Sequence, residues 1–244
     1  MTFDQAEFAV RCEWGEQGVR QLAPISDAVI IVDVLSFSTC IDIATARGAS
    51  VYPWLWKDAR AQAFANQINA ELAGQREVQT GYSLSPASLL GIPAGTRLVL
   101  PSPNGATLSL ATGAAPTLAG CLRNCQSVAA AALQLGIRLA VIPAGERWAD
   151  GSLRPALEDW LGAGALIQQL SLPAHQLAPE ARLALAAFQS AQHDLHAMLR
   201  QCSSGKELLE PGFARDVELA AQWNVSDSAP HLQEQAFLNQ NKTQ

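Results

Sequence analysis

The sequence predicts an α/β layered fold with a mainly parallel sheet and a helical C-terminal third. Three observations point there. Short aliphatic and β-branched runs, clearest in Val29-Ile-Ile-Val32, alternate with segments of helical period from the start of the chain. Those runs are apolar on both faces, as expected of strands covered on two sides. Beyond about residue 153 the strand signals cease and helical patterns dominate.

Taken in order, residues 7–13 read as a strand and 14–22 as a short helix ending at Pro24. The strand 28–32 ends on Asp33. A helical pattern then runs through Arg47, and Gly48 is a natural stop. Residues 50–54 form a strand. A helix is expected over 58–73, because Phe64, Ile68 and Leu72 fall on one face and Gly74 stands at its end. A short strand is expected at 77–80. Residues 81–93, rich in Ser, Pro and Gly, read as turns too polar for a core element. Strand 96–101 leads into the tight turn Ser102-Pro-Asn-Gly-Ala-Thr107 and a helix to Ala111. Strand 115–119, helix 127–135 and strand 138–142 follow. A helix over 153–170 takes Pro155 in its first turn.

From Pro179 the pattern is helical to about Arg200, with Ala184, Phe188, Ala191, Leu195 and Met198 as a core-facing stripe. A last helix covers about 213–223. The domain is expected over 1–232, as one α/β unit or two closely packed lobes, with 233–244 a loose polar tail.

Composition narrows the function. The chain has 244 residues, 49% of them hydrophobic, which supports a sizeable core. A formal charge of −6 without a Lys/Arg cluster argues against nucleic acid as a partner. No aliphatic run is long enough to span a membrane. Five scattered cysteines match no zinc or disulfide pattern and read as reduced thiols of a cytoplasmic protein. An anionic ligand would need a metal, arginines or backbone N–H groups to hold it, and self-association stays open.

Four polar clusters interrupt the pattern: Asp33 with Ser36, Ser38 and Thr39; residues 83–88; residues 102–107; and Ala144-Gly-Glu-Arg147 with Arg154-Pro-Ala-Leu-Glu-Asp159. Three of them leave strand ends, which places them on one rim if those strands are parallel. Each has a plainer reading: Asp33 as a cap, Asn104-Gly105 as a turn, Glu158 and Asp159 as acids suited to a helix start. A Walker-type loop, an Asp-x-Asp phosphatase loop, a cysteine-phosphatase loop and a Gly-x-Ser-x-Gly elbow are all missing from the sequence.

From about Val29 to Pro230 the chain resembles the 2-phosphosulfolactate phosphatase (ComB-like) family. The resemblance is carried by Val32-Asp-Val-Leu35 with the Ser-Thr helix start, the Asn104-Gly105 turn, and Glu158-Asp159 followed by Gly162-Ala-Gly164. Ser204-Gly-Lys-Glu-Leu208, Asp216-Val217 and Pro230 complete it. It implies a three-layer α/β/α fold and a magnesium-dependent acid phosphatase that converts 2-phospho-3-sulfolactate to sulfolactate for coenzyme M synthesis. Two departures stand out. Ser36-Phe37 replaces the Arg-Ala that many members carry, and Leu84-Ser-Pro86 replaces the usual Gly-Asn-Ser-Pro turn. Loss of a guanidinium predicts a weaker grip on a trianionic phosphosulfonate.

The expected site follows. Asp33, Glu146 and Asp159 are candidate Mg²⁺ ligands or water-activating bases, with Glu158 competing for the role of Asp159. Arg147 is the candidate cation for a phosphate or second acid. Asn104, Gly105, Ser38 and Thr39 are candidate donors to phosphoryl oxygens. Asp33 as nucleophile stays open. So do two rival functions: a phosphatase of the same fold with a non-sulfonated substrate, and a catalytically silent anion-binding protein.

Overall fold

The structure, a computed structural model, describes residues 3–76 and 81–240. The strand expected at 77–80 falls outside them. Strands β1 (Val10–Cys12), β2 (Ala28–Val32), β3 (Ser50–Trp54), β4 (Glu71–Leu72), β5 (Arg97–Pro101), β6 (Thr117–Gly120) and β7 (Leu139–Pro143) build most of one sheet. β8 (Glu146–Arg147) and β9 (Leu153–Arg154) form a separate small hairpin, and β10 (Pro230–Gln233) and β11 (Ala236–Asn239) return to the main sheet. The helices are α1 (Gly15–Leu22), α2 (Phe37–Ala46), α3 (Ala59–Gln67), α4 (Gly105–Ala111) and α5 (Cys125–Leu135). They continue with α6 (Leu157–Leu170), α7 (Pro179–Ala191), α8 (Leu195–Gln201), α9 (Ser203–Leu209) and α10 (Ala214–Ala220).

The sheet has nine strands in the order β1-β7-β2-β6-β10-β11-β3-β5-β4. β1, β7, β2 and β6 are mutually parallel, as are β3, β5 and β4. Three antiparallel pairings through the β10–β11 hairpin join the two sets, so the sets run in opposite senses. Sheet twist of roughly 20–25° per strand turns β5 by on the order of 100° relative to β2, five places away.

Alternation along β2 makes the layers visible. Ala28, Ile30 and Val32 pack with α5, α6 and α7, while Val29 and Ile31 pack with α1 and α4 on the other face. This is a three-layer α/β/α fold. A third cluster sets Phe37, Ile41 and Ala44 of α2 against β3, β5 and Phe237 of β11. Helices α6 and α7 approach closely at Gly164, where a Cβ would lie 2.1 Å from the Ala184 carbonyl oxygen. Among the described residues no helix is long and apolar enough to cross a membrane.

Several boundaries differ from the sequence expectation. The helix expected over 58–73 stops at Gln67, because the chain turns at Asn69 in the left-handed region and Leu72 joins β4 at the sheet edge. The helix expected from 153 begins at Leu157, since Leu153–Arg154 pairs with Glu146–Arg147. The long helix from Pro179 breaks at 192–194 into α7 and α8, and most of its stripe is buried all the same. Residues 81–93 are not wholly peripheral: Leu89 and Ile92 are buried against α2. The expected loose tail from residue 233 is overturned through residue 239. Phe237 is fully buried, and its strand pairs with both β10 and β3.

Candidate active site

Asp33 sits where β2 ends, and its carboxylate gathers three elements. Oδ1 accepts the Phe37 N–H of α2 at 3.1 Å, and Oδ2 accepts the Gly105 N–H of α4 at 2.9 Å. The glycine is required by this approach. A Cβ there would fall 2.2 Å from the Phe37 ring and 2.8 Å from Asp33 Oδ2. Thus β5 and α4 deliver residues 102–105 to the end of β2, although β5 belongs to the oppositely running set.

Asn104 reaches the fourth polar cluster, donating from Nδ2 to Glu146 Oε2 at 2.8 Å. Asp33, Asn104 and Glu146 line one open cleft of about 310 Å³, together with Ser36, Arg76 and Ser102. Burial pushes the Asp33 carboxyl up to about 6, against the pull of its two backbone N–H partners. Glu146 is pushed up to about 7, mainly by burial and then by the charge of Asp33. The Asn104 hydrogen bond acts in the opposite direction.

Asp159 does not line this cleft. Its Oδ1 accepts the Val34 N–H at 2.7 Å and its Oδ2 the Gly145 N–H at 2.9 Å. Those two residues directly follow Asp33 and directly precede Glu146, so Asp159 clamps the backbone beside both cleft acids. Burial, with the charges of Glu158 and Asp33, raises its carboxyl well above the ordinary range. Glu158, one step earlier on α6, is also buried and interacts with the Cys202 thiol.

The expected trio of Asp33, Glu146 and Asp159 is therefore not assembled. Among the described residues no three His, Cys, Asp or Glu side chains group as a metal-holding set. Asp33 and Glu146 share the cleft as a pair.

The expected hydroxyl donors also turn inward. Ser38 Oγ donates to the Ile31 carbonyl and accepts the Asp33 N–H, and Thr39 Oγ1 donates to the Val34 carbonyl. Both residues are fully buried. They brace the turn that presents Asp33, as the Gly105 N–H does. Arg147 is exposed and lines a neighbouring cavity of about 200 Å³, which shares Asn104 and Glu146 with the cleft.

The model of the 2-phosphosulpholactate phosphatase family matches residues 17–235. The chain belongs to that family. Its relatives include the probable 2-phosphosulfolactate phosphatase of Carboxydothermus hydrogenoformans, 34% identical over 218 residues, with 85% of this chain and 87% of the relative covered. The 2-phosphosulfolactate phosphatase of Methanothermobacter thermautotrophicus is 30% identical over 207 residues, covering 84% and 86%. This family member is accordingly a phosphoric monoester hydrolase.

Sequence reasoning missed Arg76 in this phosphatase. A single arginine in a turn has no periodicity to betray it, yet its side chain is mostly buried at the cleft. Nη1 pairs with Asp216 at 3.1 Å, Nη2 donates to Ser36 Oγ at 3.2 Å and to the Leu84 carbonyl, and the guanidinium lies over the Phe213 ring. Ser85 Oγ and the Ala87 N–H hold the other Asp216 oxygen. The polar segment 81–93 and the Asp216 motif thus serve one purpose, fixing this cation.

The raised Glu146 carboxyl carries a stability prediction for the metal-free protein. Unfolded, the group titrates near 4.5; folded, near 7. Between these values the folded state holds a proton that the unfolded state has released. Relative to its neutral form, Glu146 therefore costs nothing below about pH 4.5, loses stability as pH rises through 7, and carries a constant penalty above. In Glu146→Gln the amide carbonyl still accepts from Asn104 while the charge is gone. With chelator present, its melting temperature should exceed wild type by roughly 7–13 °C at pH 8. The gap should shrink toward zero by pH 4.5. Thermal unfolding across that range checks this, and a gap independent of pH would count against it.

Proposed function

We propose that this phosphatase hydrolyses 2-phospho-3-sulfolactate to sulfolactate and phosphate in the cytoplasm, with Mg²⁺ as its cofactor. The observation that carries the reading is the pair Asp33 and Glu146 in one polar cleft of a chain whose relatives bear that enzyme's name. Mg²⁺ takes one or two carboxylates and completes its shell with waters and phosphate oxygens. Two acids, each raised by burial and one by its neighbour's charge, fit such an ion. Asp33 would hold it, which leaves Glu146 to act on water. The ion, when bound, supplies positive charge to the phosphoryl oxygens.

The chain supplies position and proton handling. Two backbone N–H groups fix the Asp33 carboxylate, and the Asp159 clamp fixes the backbone beside both acids. A carboxyl near 7 both gives and takes a proton at neutral pH. Glu146, oriented by Asn104, is the group to take the proton from the attacking water as the phosphorus–oxygen ester bond breaks and to return it to the departing alkoxide oxygen. In a loose phosphoryl transition state such positioning and charge stabilisation dominate the rate.

A non-sulfonated phospho-acid is a second reading. One observation favours it: Ser36 stands where the resemblance places an arginine.

Phosphate release from 2-phosphosulfolactate, 2-phospholactate and simple phosphomonoesters tests both. Chelation should reduce turnover to background, and added Mg²⁺ should restore it. Full activity after exhaustive chelation would end the metal assignment, and a preference for 2-phospholactate would favour the second reading.

A further inference from the structure

We propose that Arg76 is a specificity residue, gripping the acid group of the substrate that is not transferred, whether carboxylate or sulfonate. This rests on the phosphatase reading above and assigns a separate part of the same cleft.

The cleft contains acids in excess. Asp33, Glu146 and Glu207 line it, and Arg76 is the single cation among its described lining residues. Arg147 opens onto the neighbouring cavity instead. An oxyanion without a bound metal is repelled from the Asp33–Glu146 side and attracted toward the guanidinium.

That guanidinium is built in, not merely present. Asp216, itself 1% exposed, anchors one end, the Leu84 carbonyl and Ser36 hydroxyl hold another, and the Phe213 ring lies against its plane. A rotamer-rich side chain held this way loses little further entropy on binding. Donor arithmetic leaves room for a ligand. Of the five N–H donors of an arginine, the described residues take three, one on Nη1 and both on Nη2, so Nε and the second Nη1 hydrogen, on different edges of the plane, stand outside those bonds. Leu35, Leu208 and Phe213 provide apolar wall on the same cleft, suited to the carbon skeleton between the two acid groups.

The test separates acid recognition from phosphoryl handling. Isopropyl phosphate has the skeleton of 2-phospholactate with a methyl in place of the carboxylate. Wild type, Arg76→Gln and Arg76→Lys are compared on isopropyl phosphate, 2-phospholactate and 2-phosphosulfolactate. On 2-phosphosulfolactate, Arg76→Gln should lower kcat/KM about 10- to 100-fold, chiefly through KM; a like loss on 2-phospholactate assigns the grip to the carboxylate, and a loss confined to 2-phosphosulfolactate assigns it to the sulfonate. Isopropyl phosphate should change by less than about threefold. Arg76→Lys should fall between, because an ammonium keeps the charge without the fork.

Equal losses on all three substrates would overturn the proposal. Where Arg76→Gln fails to fold with Asp216 unpaired, the double variant Arg76→Gln/Asp216→Asn removes both charges and reads the same comparison. Calorimetric binding of lactate and sulfolactate, which carry no phosphate, decides the case without turnover. If wild type releases no phosphate from any substrate, the phosphatase reading falls. Loss of lactate or sulfolactate binding in a folded Arg76 variant would then still support the grip. Unchanged binding, or none by wild type, would overturn it. Lactate carries only the carboxylate and sulfolactate carries both groups, so lactate binding lost in the variant assigns the grip to the carboxylate, and a loss confined to sulfolactate assigns it to the sulfonate.

Discussion

Asp33→Asn is expected to lower kcat by on the order of 10³ or more, with the melting temperature changed by only a few degrees. The carboxylate is the one group common to the end of β2, the start of α2 and the start of α4, and it opens into the cleft. An asparagine keeps its volume but removes the charge. It also turns one NH₂ toward a backbone N–H that now meets an oxygen. The lost hydrogen bond costs stability, while removing a carboxyl that burial has pushed up to about 6 returns some of it. Steady-state kinetics with paired thermal unfolding reads both numbers. Turnover within a factor of a few of wild type would mean that Asp33 neither holds the ion nor attacks phosphorus.

Asp159→Ala should fail differently, losing stability and turnover together. Alanine leaves the N–H groups of Val34 and Gly145 buried without acceptors, a cost of about 1–3 kcal/mol each. Relief of a strongly desolvated carboxyl offsets part of this, leaving a net loss of about 3 kcal/mol. For a domain of this size that is roughly 6–12 °C in melting temperature. Because the freed backbone flanks Asp33 and Glu146, kcat should fall even at temperatures where the variant is fully folded. Asparagine should rescue only in part, since its NH₂ opposes one of the two N–H groups. A variant melting within 2 °C of wild type would show that the clamp is not structural.

The contrast between these two acids marks how far the sequence could be read. The β2 strand, its exit at Asp33 and the Asn104-Gly105 turn were legible because each is local: an apolar run, a carboxylate at its end, a turn pair. Asp33 and Glu146 follow the parallel strands β2 and β7 to one cleft, whereas Asn104 arrives from β5, which runs against the expected sense, so strand parallelism does not account for its arrival. Inside and outside were not legible. Ser38 and Thr39 look like ligand donors in one dimension, whereas in the fold they satisfy carbonyls beneath the turn. Asp159 and Glu158 are adjacent acids, and only the rotation of α6 decides that Asp159 meets the backbone. The two-residue strands β8 and β9 are too short to leave a period-2 signal. The β10–β11 hairpin is polar enough, with His231, Gln233 and Asn239, to pass for a tail.

That hairpin has a consequence for how the molecule is made. A ribosome releases both parallel halves of the sheet before residues 230–239 emerge. Until then the facing edges of β6 and β3 have no partners, and each presents open backbone donors and acceptors to any other nascent chain. The centre of the finished sheet is thus the last piece delivered. Slow elongation over the helical third, or an early stop within it, would prolong the interval in which two sticky edges wait.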